Sequence, residues 1–280
     1  MPHELGDAVG DQMTMPSAAA LFVPPPLQGT RPRLIALASG KGGVGKTWLS
    51  LTLAQALSGR RRRVLVFDAD FGLANADIQL GHLAGLDLAE LMRDGTDLRE
   101  GVTKVAQGGF DLIAGQAGSG ALAGVSIEQI TALLDRLAAL SSDYDVILFD
   151  LGTGVEPVTR HVAAYADTVI LVTTEDPSSL TDAYAVLKLL KRDRLAMDRT
   201  VDARIVVNQT QSEPAGKRAH AALARAARGF LRLDPPLLGT IGRDERVAEA
   251  IRSQRLLLSQ FPQSAAAGSV MAIARRLLAR

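Results

Sequence analysis

The residues with the most chemical content lie at Gly40-Lys41-Gly42-Gly43-Val44-Gly45-Lys46-Thr47, a G-x-x-x-x-G-K-[ST] pattern. Its glycines allow a tight turn whose backbone N–H groups, gathered at a helix N-terminus, can wrap the phosphates of a nucleotide. Lys46 then reaches the β- and γ-phosphates, and Thr47 binds Mg²⁺. The apolar run Leu34 to Ser39 before it reads as a buried strand, and Trp48 to Leu57 after it reads as a helix. Strand, loop and helix are the context this motif requires. Gly40 to Thr47, together with Trp48, form the expected nucleotide-binding set. Lys41 is an addition, since an ordinary phosphate loop needs no cation at the start of the turn.

Three further segments follow apolar strands at the end where an open α/β sheet places its ligands. Val64-Leu65-Val66-Phe67 leads into Asp68-Ala69-Asp70. Paired carboxylates beside a phosphate loop suit Mg²⁺ and an attacking water, so Asp70 is assigned to the water and Asp68 to the Mg²⁺ hydration shell. Capping of a turn is the alternative for both. Val146-Ile147-Leu148-Phe149 leads into Asp150-Leu151-Gly152-Thr153-Gly154. Asp150 there takes the Walker B position, holding Mg²⁺ directly or through water, with Gly152 and Gly154 giving the loop freedom to swing toward a γ-phosphate. Asn208, after the strand Ala203 to Val207, offers an amide to an adenine edge or is simply a turn residue. Arg243-Asp244-Glu245 either completes a base pocket or supplies Asp244 as the N-cap of a helix from Glu245 to Arg252.

Positioning these loops calls for strands alternating with helices, and the pattern is present. Strands are expected at 34–39, 63–67, 110–114, 145–150, 168–173, 203–208 and 237–241, with helical periodicity clearest at 126–140, 179–191 and 216–231. The fold class is therefore α/β, a mostly parallel central sheet with helices on both faces. The 280 residues, 47% hydrophobic, suit one large core from residue 31 to 280. Residues 1–30, rich in Ala, Gly and Pro and ending near Pro24-Pro25-Pro26, are expected to be a flexible extension. With no cysteine, disulfides and thiolate-held iron–sulfur clusters are excluded. A net charge of +1 gives no global attraction to nucleic acid, and none specific is expected. The absence of a long apolar run or a signal-peptide pattern predicts a cytoplasmic protein.

From about Arg33 to Arg280 the chain resembles the MinD/ParA family of deviant Walker A ATPases. Within that family it is similar to the flagellar FlhG group, also called FleN or YlxH. The likeness rests on the loop with Lys41, on Asp68-Ala69-Asp70-Phe71-Gly72-Leu73-Ala74-Asn75, on Thr173 to Tyr184, and on Asp244-Glu245 with Ala250 to Arg255. It implies an ATPase using ATP and Mg²⁺, a dimer sandwiching ATP, and control of flagellar number and placement. It also implies that Lys41 acts across the dimer on the partner's phosphates, so that Lys41, Lys46 and Asp70 form the catalytic set. Implied partners are an FlhF-type GTPase, flagellar C-ring proteins and a flagellar transcription regulator. Two departures stand out. Asp11-Gln12 is followed by Met13-Thr14-Met15-Pro16 where relatives carry an FlhF-stimulating helix, and Asp150-Leu151-Gly152-Thr153-Gly154 replaces a smaller-residue loop.

Relatives reach the membrane through a C-terminal amphipathic helix. Here Val270, Ile273, Ala274, Leu277 and Leu278 make an apolar face opposite Arg275, Arg276 and Arg280, a pattern that fits a packed last helix and also reversible association with the inner membrane surface. Arg60 to Arg63 form a basic turn or a contact with acidic lipid or nucleic acid. Two other functions remain open: a ParA-type DNA partition ATPase, and an ATP-binding regulator that sequesters a transcription factor.

Overall fold

A computed structural model describes residues 31–70, 75–81, 88–92, 96–115 and 125–279. The expected extension at 1–30, with Asp11-Gln12, and Phe71 to Ala74 of the second loop lie outside these residues.

Apolar runs become strands because every second residue can be buried on each face. In β1 (Arg33–Ser39), Leu34, Ala36 and Ala38 enter one core layer while Ile35 and Leu37 enter the other. The chain continues through α1 (Lys46–Ser58), β2 (Val64–Ala69), α2 (Ala76–Leu80), α3 (Leu88–Leu91), β3 (Thr103–Val105), β4 (Phe110–Ile113), α4 (Ile127–Ala138) and β5 (Val146–Thr153). It then forms α5 (Pro157–Tyr165), β6 (Thr168–Thr173), α6 (Pro177–Ala196), β7 (Ala203–Thr210), α7 (Glu213–Ala226), β8 (Leu237–Gly242), α8 (Glu245–Arg252), α9 (Leu257–Gln260) and α10 (Ala265–Leu278).

The sheet order is β3-β4-β2-β5-β1-β6-β7-β8, with all pairs parallel except β3–β4. Helices α4 to α7 cover one face and α1, α8, α9 and α10 the other. The strand order reverses at β1, so the loop leaving β1 sits between those leaving β5 and β6. That crevice is where an open parallel sheet binds ligands.

The expected α/β architecture is present, with local differences. β3 was not foreseen, because three residues of an antiparallel edge carry no apolar run. β5 does not stop at Asp150: pairing with β1 and β2 continues through Asp68↔Asp150, Ala69↔Leu151 and Ser39↔Thr153. The helix expected over 216–231 starts earlier, where the Ser212 side chain accepts from Ala215 N–H, and gives way to a π-helical turn at Ala227–Leu231. α5, begun by Pro157, was also unforeseen.

Candidate functional site

The loop between β1 and α1 needs backbone that only glycine adopts without strain. Gly43 has φ 76° and Gly45, the N-cap of α1, has φ 86°. It is also gripped from β7: Asn208 Nδ2 donates to Val44 O at 2.7 Å, and Gln209 Nε2 donates to Gly43 O at 2.8 Å. A Cβ on Gly45 would meet Asn208 Nδ2 at 2.5 Å, so loop and amide fit only because the residue is glycine. Asn208 therefore braces the loop here, with its Oδ1 accepting from Gln209 N–H. Gly42 is exposed and lies outside the cleft lining, whereas Gly40 sits against Asp182, with its virtual Cβ 2.5 Å from that residue's backbone.

Under the loop lies a buried charge cluster. Lys46 Nζ donates to Asp150 Oδ1 at 2.8 Å, and Ser50 Oγ donates to the same oxygen at 2.9 Å. The side chains of Lys46 and Asp150 are 6% and 1% exposed, so this pair is withdrawn from water. β2 runs beside β5 and sets Asp68 directly opposite Asp150. Asp68 Oδ1 accepts from Asp70 N–H, and its Oδ2 accepts from the N–H groups of Asn75 and Ala76. Its carboxylate thus organises the turn into α2. Burial, then the charge of Asp150, pushes the Asp68 pKa up to about 7, outweighing the amides and Lys46. A cation between two such carboxylates would relieve their repulsion. Asp70 lines the cleft, close to Gly152.

Lys41 is exposed and reaches sideways, its Nζ donating to Ser178 Oγ at 2.9 Å in the first turn of α6. This lysine is thus held by its own chain on the shoulder of the loop. Ser178 belongs to the Thr173 to Tyr184 segment, but its partnership with Lys41 could not be read from spacing alone.

A cleft of about 780 Å³ opens over these groups. Ser39, Lys46, Thr47 and Asp70 line it, as do Ile241, Arg243, Val247 and Ile251. Three buried side-chain atoms in this region have no hydrogen-bond partner: Ser39 Oγ, Trp48 Nε1 and Asp150 Oδ2. Ser39 and Trp48 line the cleft, and Asp150 Oδ2 is an anionic acceptor beside Lys46. Unspent donors and an unspent carboxylate oxygen fit a ligand with phosphate oxygens and a bound divalent cation. Among the described residues no cluster of three or more His, Cys, Asp or Glu could hold a metal by itself, so a cation here would draw on phosphate and hydroxyl oxygens as well.

Sequence reasoning gave Gln209, next to Asn208 in the same loop, no role of its own, and missed Val247 and Ile251. The last two are one helical turn apart on α8, a short apolar stripe that was available as a signal. Asp244 is the N-cap of α8, its Oδ1 accepting from Arg246 N–H, and its Oδ2 accepts from Ala266 N–H. Of the two readings of this segment, the cap is realised while Arg243 and Asp244 also line the cleft.

The apolar face of α10 is packed into the core: Val270, Ile273, Ala274 and Leu277 are buried. Arg60 fastens that helix, its Nη2 donating to Met271 O at 3.1 Å, and Arg63 pairs with Asp145 at 2.8 Å. The basic turn is thus partly spent inside the molecule. Among the described residues no helix is long and apolar enough to cross a membrane.

Residues 35–257 match the CobQ/CobB/MinD/ParA nucleotide binding domain. Antiactivator FleN of Pseudomonas aeruginosa is 34% identical over 245 residues, covering 88% of this chain and 86% of FleN. Flagellum site-determining protein YlxH of Helicobacter pylori is 30% identical over 250 residues, covering 89% of this chain and 82% of its own. Among solved structures, the septum site-determining protein MinD of Pyrococcus horikoshii OT3, complexed with Mg-ADP, has the same fold. Its TM-score is 0.73 at 23% identity, with 88% of this chain and 96% of MinD covered.

Proposed function

The chain belongs to the CobQ/CobB/MinD/ParA nucleotide-binding family, and on that premise we propose that it is a Mg-ATP-dependent switch controlling flagellar number and placement. MinD/ParA proteins are ATPases. The observation that carries the flagellar reading is the 34% identity to FleN sustained over 88% of the chain. The likeness to a flagellum site-determining protein points the same way. Residues 31–280 form the ATPase unit, and 1–30 an extension to it.

In this reading the loop amides from Gly40 to Thr47 and the N-terminus of α1 bind phosphate oxygens. Lys46, already in the cleft, shares its charge between Asp150 and the phosphates. Thr47 and Asp150, with Asp68 behind them, hold Mg²⁺, which when bound neutralises charge on the phosphate oxygens. Asp70 orients the attacking water. Lys41, released from Ser178, reaches the phosphates held by a second copy, so that dimerisation and hydrolysis are coupled. An FlhF-type GTPase, C-ring proteins and a flagellar transcription regulator are the partners such a switch would address, in the cytoplasm and reversibly at the inner membrane surface.

The test is the solution mass of the protein with ADP and with a non-hydrolysable ATP analogue, for wild type and Lys41→Ala. Dimer only with the analogue, and only in wild type, is expected. A monomer under every condition, with nucleotide bound, would overturn the dimer switch.

The name antiactivator favours a second reading, in which the ATP-bound chain holds a transcription activator and turnover is incidental. Asp70→Ala separates the two. With hydrolysis lost and nucleotide binding kept, failed control of flagellar number supports the switch, and intact control supports the binding module.

A further inference from the structure

We propose that the indole N–H of Trp48 is a direct hydrogen-bond donor to the nucleoside half of the bound nucleotide, at an oxygen of the ribose or of the adjoining α-phosphate. The inference rests on the nucleotide site described above and assigns a contact specific to this chain. Trp48 is the third residue of α1, immediately after the Lys46-Thr47 pair. It is 6% exposed, yet it lines the cleft, together with Gln79 of α2 and Val247 and Ile251 of α8. The same ring borders a second, much smaller cavity with Leu51, Leu80 and Leu256, so one part of the indole is packed among apolar side chains while another meets the cleft. Its Nε1 is buried without a hydrogen-bond partner.

A buried tryptophan normally finds an acceptor for its N–H, because leaving the donor unmatched forfeits the hydrogen bond it had with water. Thr52 Oγ1 donates back to Trp48 O, and Gln79 Nε2 donates to Asn75 Oδ1, so neither of these bonds engages the indole N–H. Lys46, Thr47, Val247 and Ile251 all line the cleft. Trp48 follows Thr47 directly in α1 and shares a small cavity with Ile251 of α8, so it neighbours both groups, and the oxygens of a sugar and its first phosphate are the acceptors that a nucleotide offers next to its terminal phosphates. Donation to an oxygen there would match the orphaned N–H and hold the nucleoside against α8.

The experiment is calorimetric titration of the full-length chain and of Trp48→Phe with Mg-ADP and with Mg-pyrophosphate. Phe keeps the aromatic packing and deletes the donor. Loss of one hydrogen bond predicts that Trp48→Phe binds Mg-ADP at least about five-fold more weakly, with pyrophosphate binding unchanged. Because Trp48 is the only tryptophan in the chain, wild-type emission should respond to Mg-ADP and not to pyrophosphate. Equal Mg-ADP affinities in the two proteins overturn the proposal and leave the nucleotide site standing. Equal losses for both ligands overturn it too, since the substitution would then have disturbed the phosphate loop. Absence of Mg-ADP binding in wild type would overturn the nucleotide site itself.

Discussion

Lys46 carries two obligations that are separable by measurement. In the structure it neutralises Asp150 at 2.8 Å in a place where both side chains are nearly out of water. Removing one member of such a pair strands the other charge, at a cost of about 3–5 kcal/mol. Lys46→Ala should therefore lose nucleotide binding and also unfold at markedly lower denaturant concentration without ligand. An apo stability equal to wild type would mean that the pair is worth nothing to the fold. The tight turn at Gly43 and Gly45 was legible in the sequence because the loop pattern ties residue type to backbone geometry. That Asn208 would hold Val44 was not, since 164 residues separate them and nothing local reports which acceptor an amide will find. Asp68 is similar: its type suggested a metal, while its three backbone donors depend on a turn that only the folded chain forms.

At the level of elements, the helices behind the β5 loop are linked by an ion pair. Arg160 on α5 donates two hydrogen bonds to Asp193 on α6, and Arg192 adds a third. Burial alone would raise the Asp193 pKa, but these bonds and charges win and hold it below the ordinary 3.8. A depressed carboxylate contributes stability that is present above its unfolded pKa and disappears as pH falls through the folded one. The wild-type melting temperature should thus fall more steeply below about pH 4 than that of Asp193→Asn. Parallel curves for the two proteins would show that the pair does not link folding to protons. Elements with strong apolar runs, such as β1, β2, β5 and β6, were legible because burial on both faces leaves no other reading. β3 was not, because its placement comes from antiparallel pairing with β4. Nor was the end of α7, where the helix widens into a π-turn closed by Arg232 at φ 53°.

For the whole molecule, β1 lies mid-sheet, so loops from β2 and β5 on one side and β6 and β7 on the other meet over the phosphate loop. Lys41 on Ser178 of α6 and Asn208 on Val44 both tie that loop to the later half of the chain. The family's parallel-sheet layout was foreseeable from the alternation of strands and helices, but the meeting of these particular side chains was not. The cleft itself is lined mainly by residues near 39–48 and by residues 241–251, with Asp70, Asn75, Gln79, Thr153, Asn208 and Gln209 contributed by the sequence between them. This has a consequence for the order in which the protein is made. A chain emerging from the ribosome exposes its phosphate loop early, but the wall on the α8 side and the β7 brace arrive only when most of the polypeptide has been synthesised. On the proposed function, nucleotide would then meet a finished site rather than guide the first stages of folding.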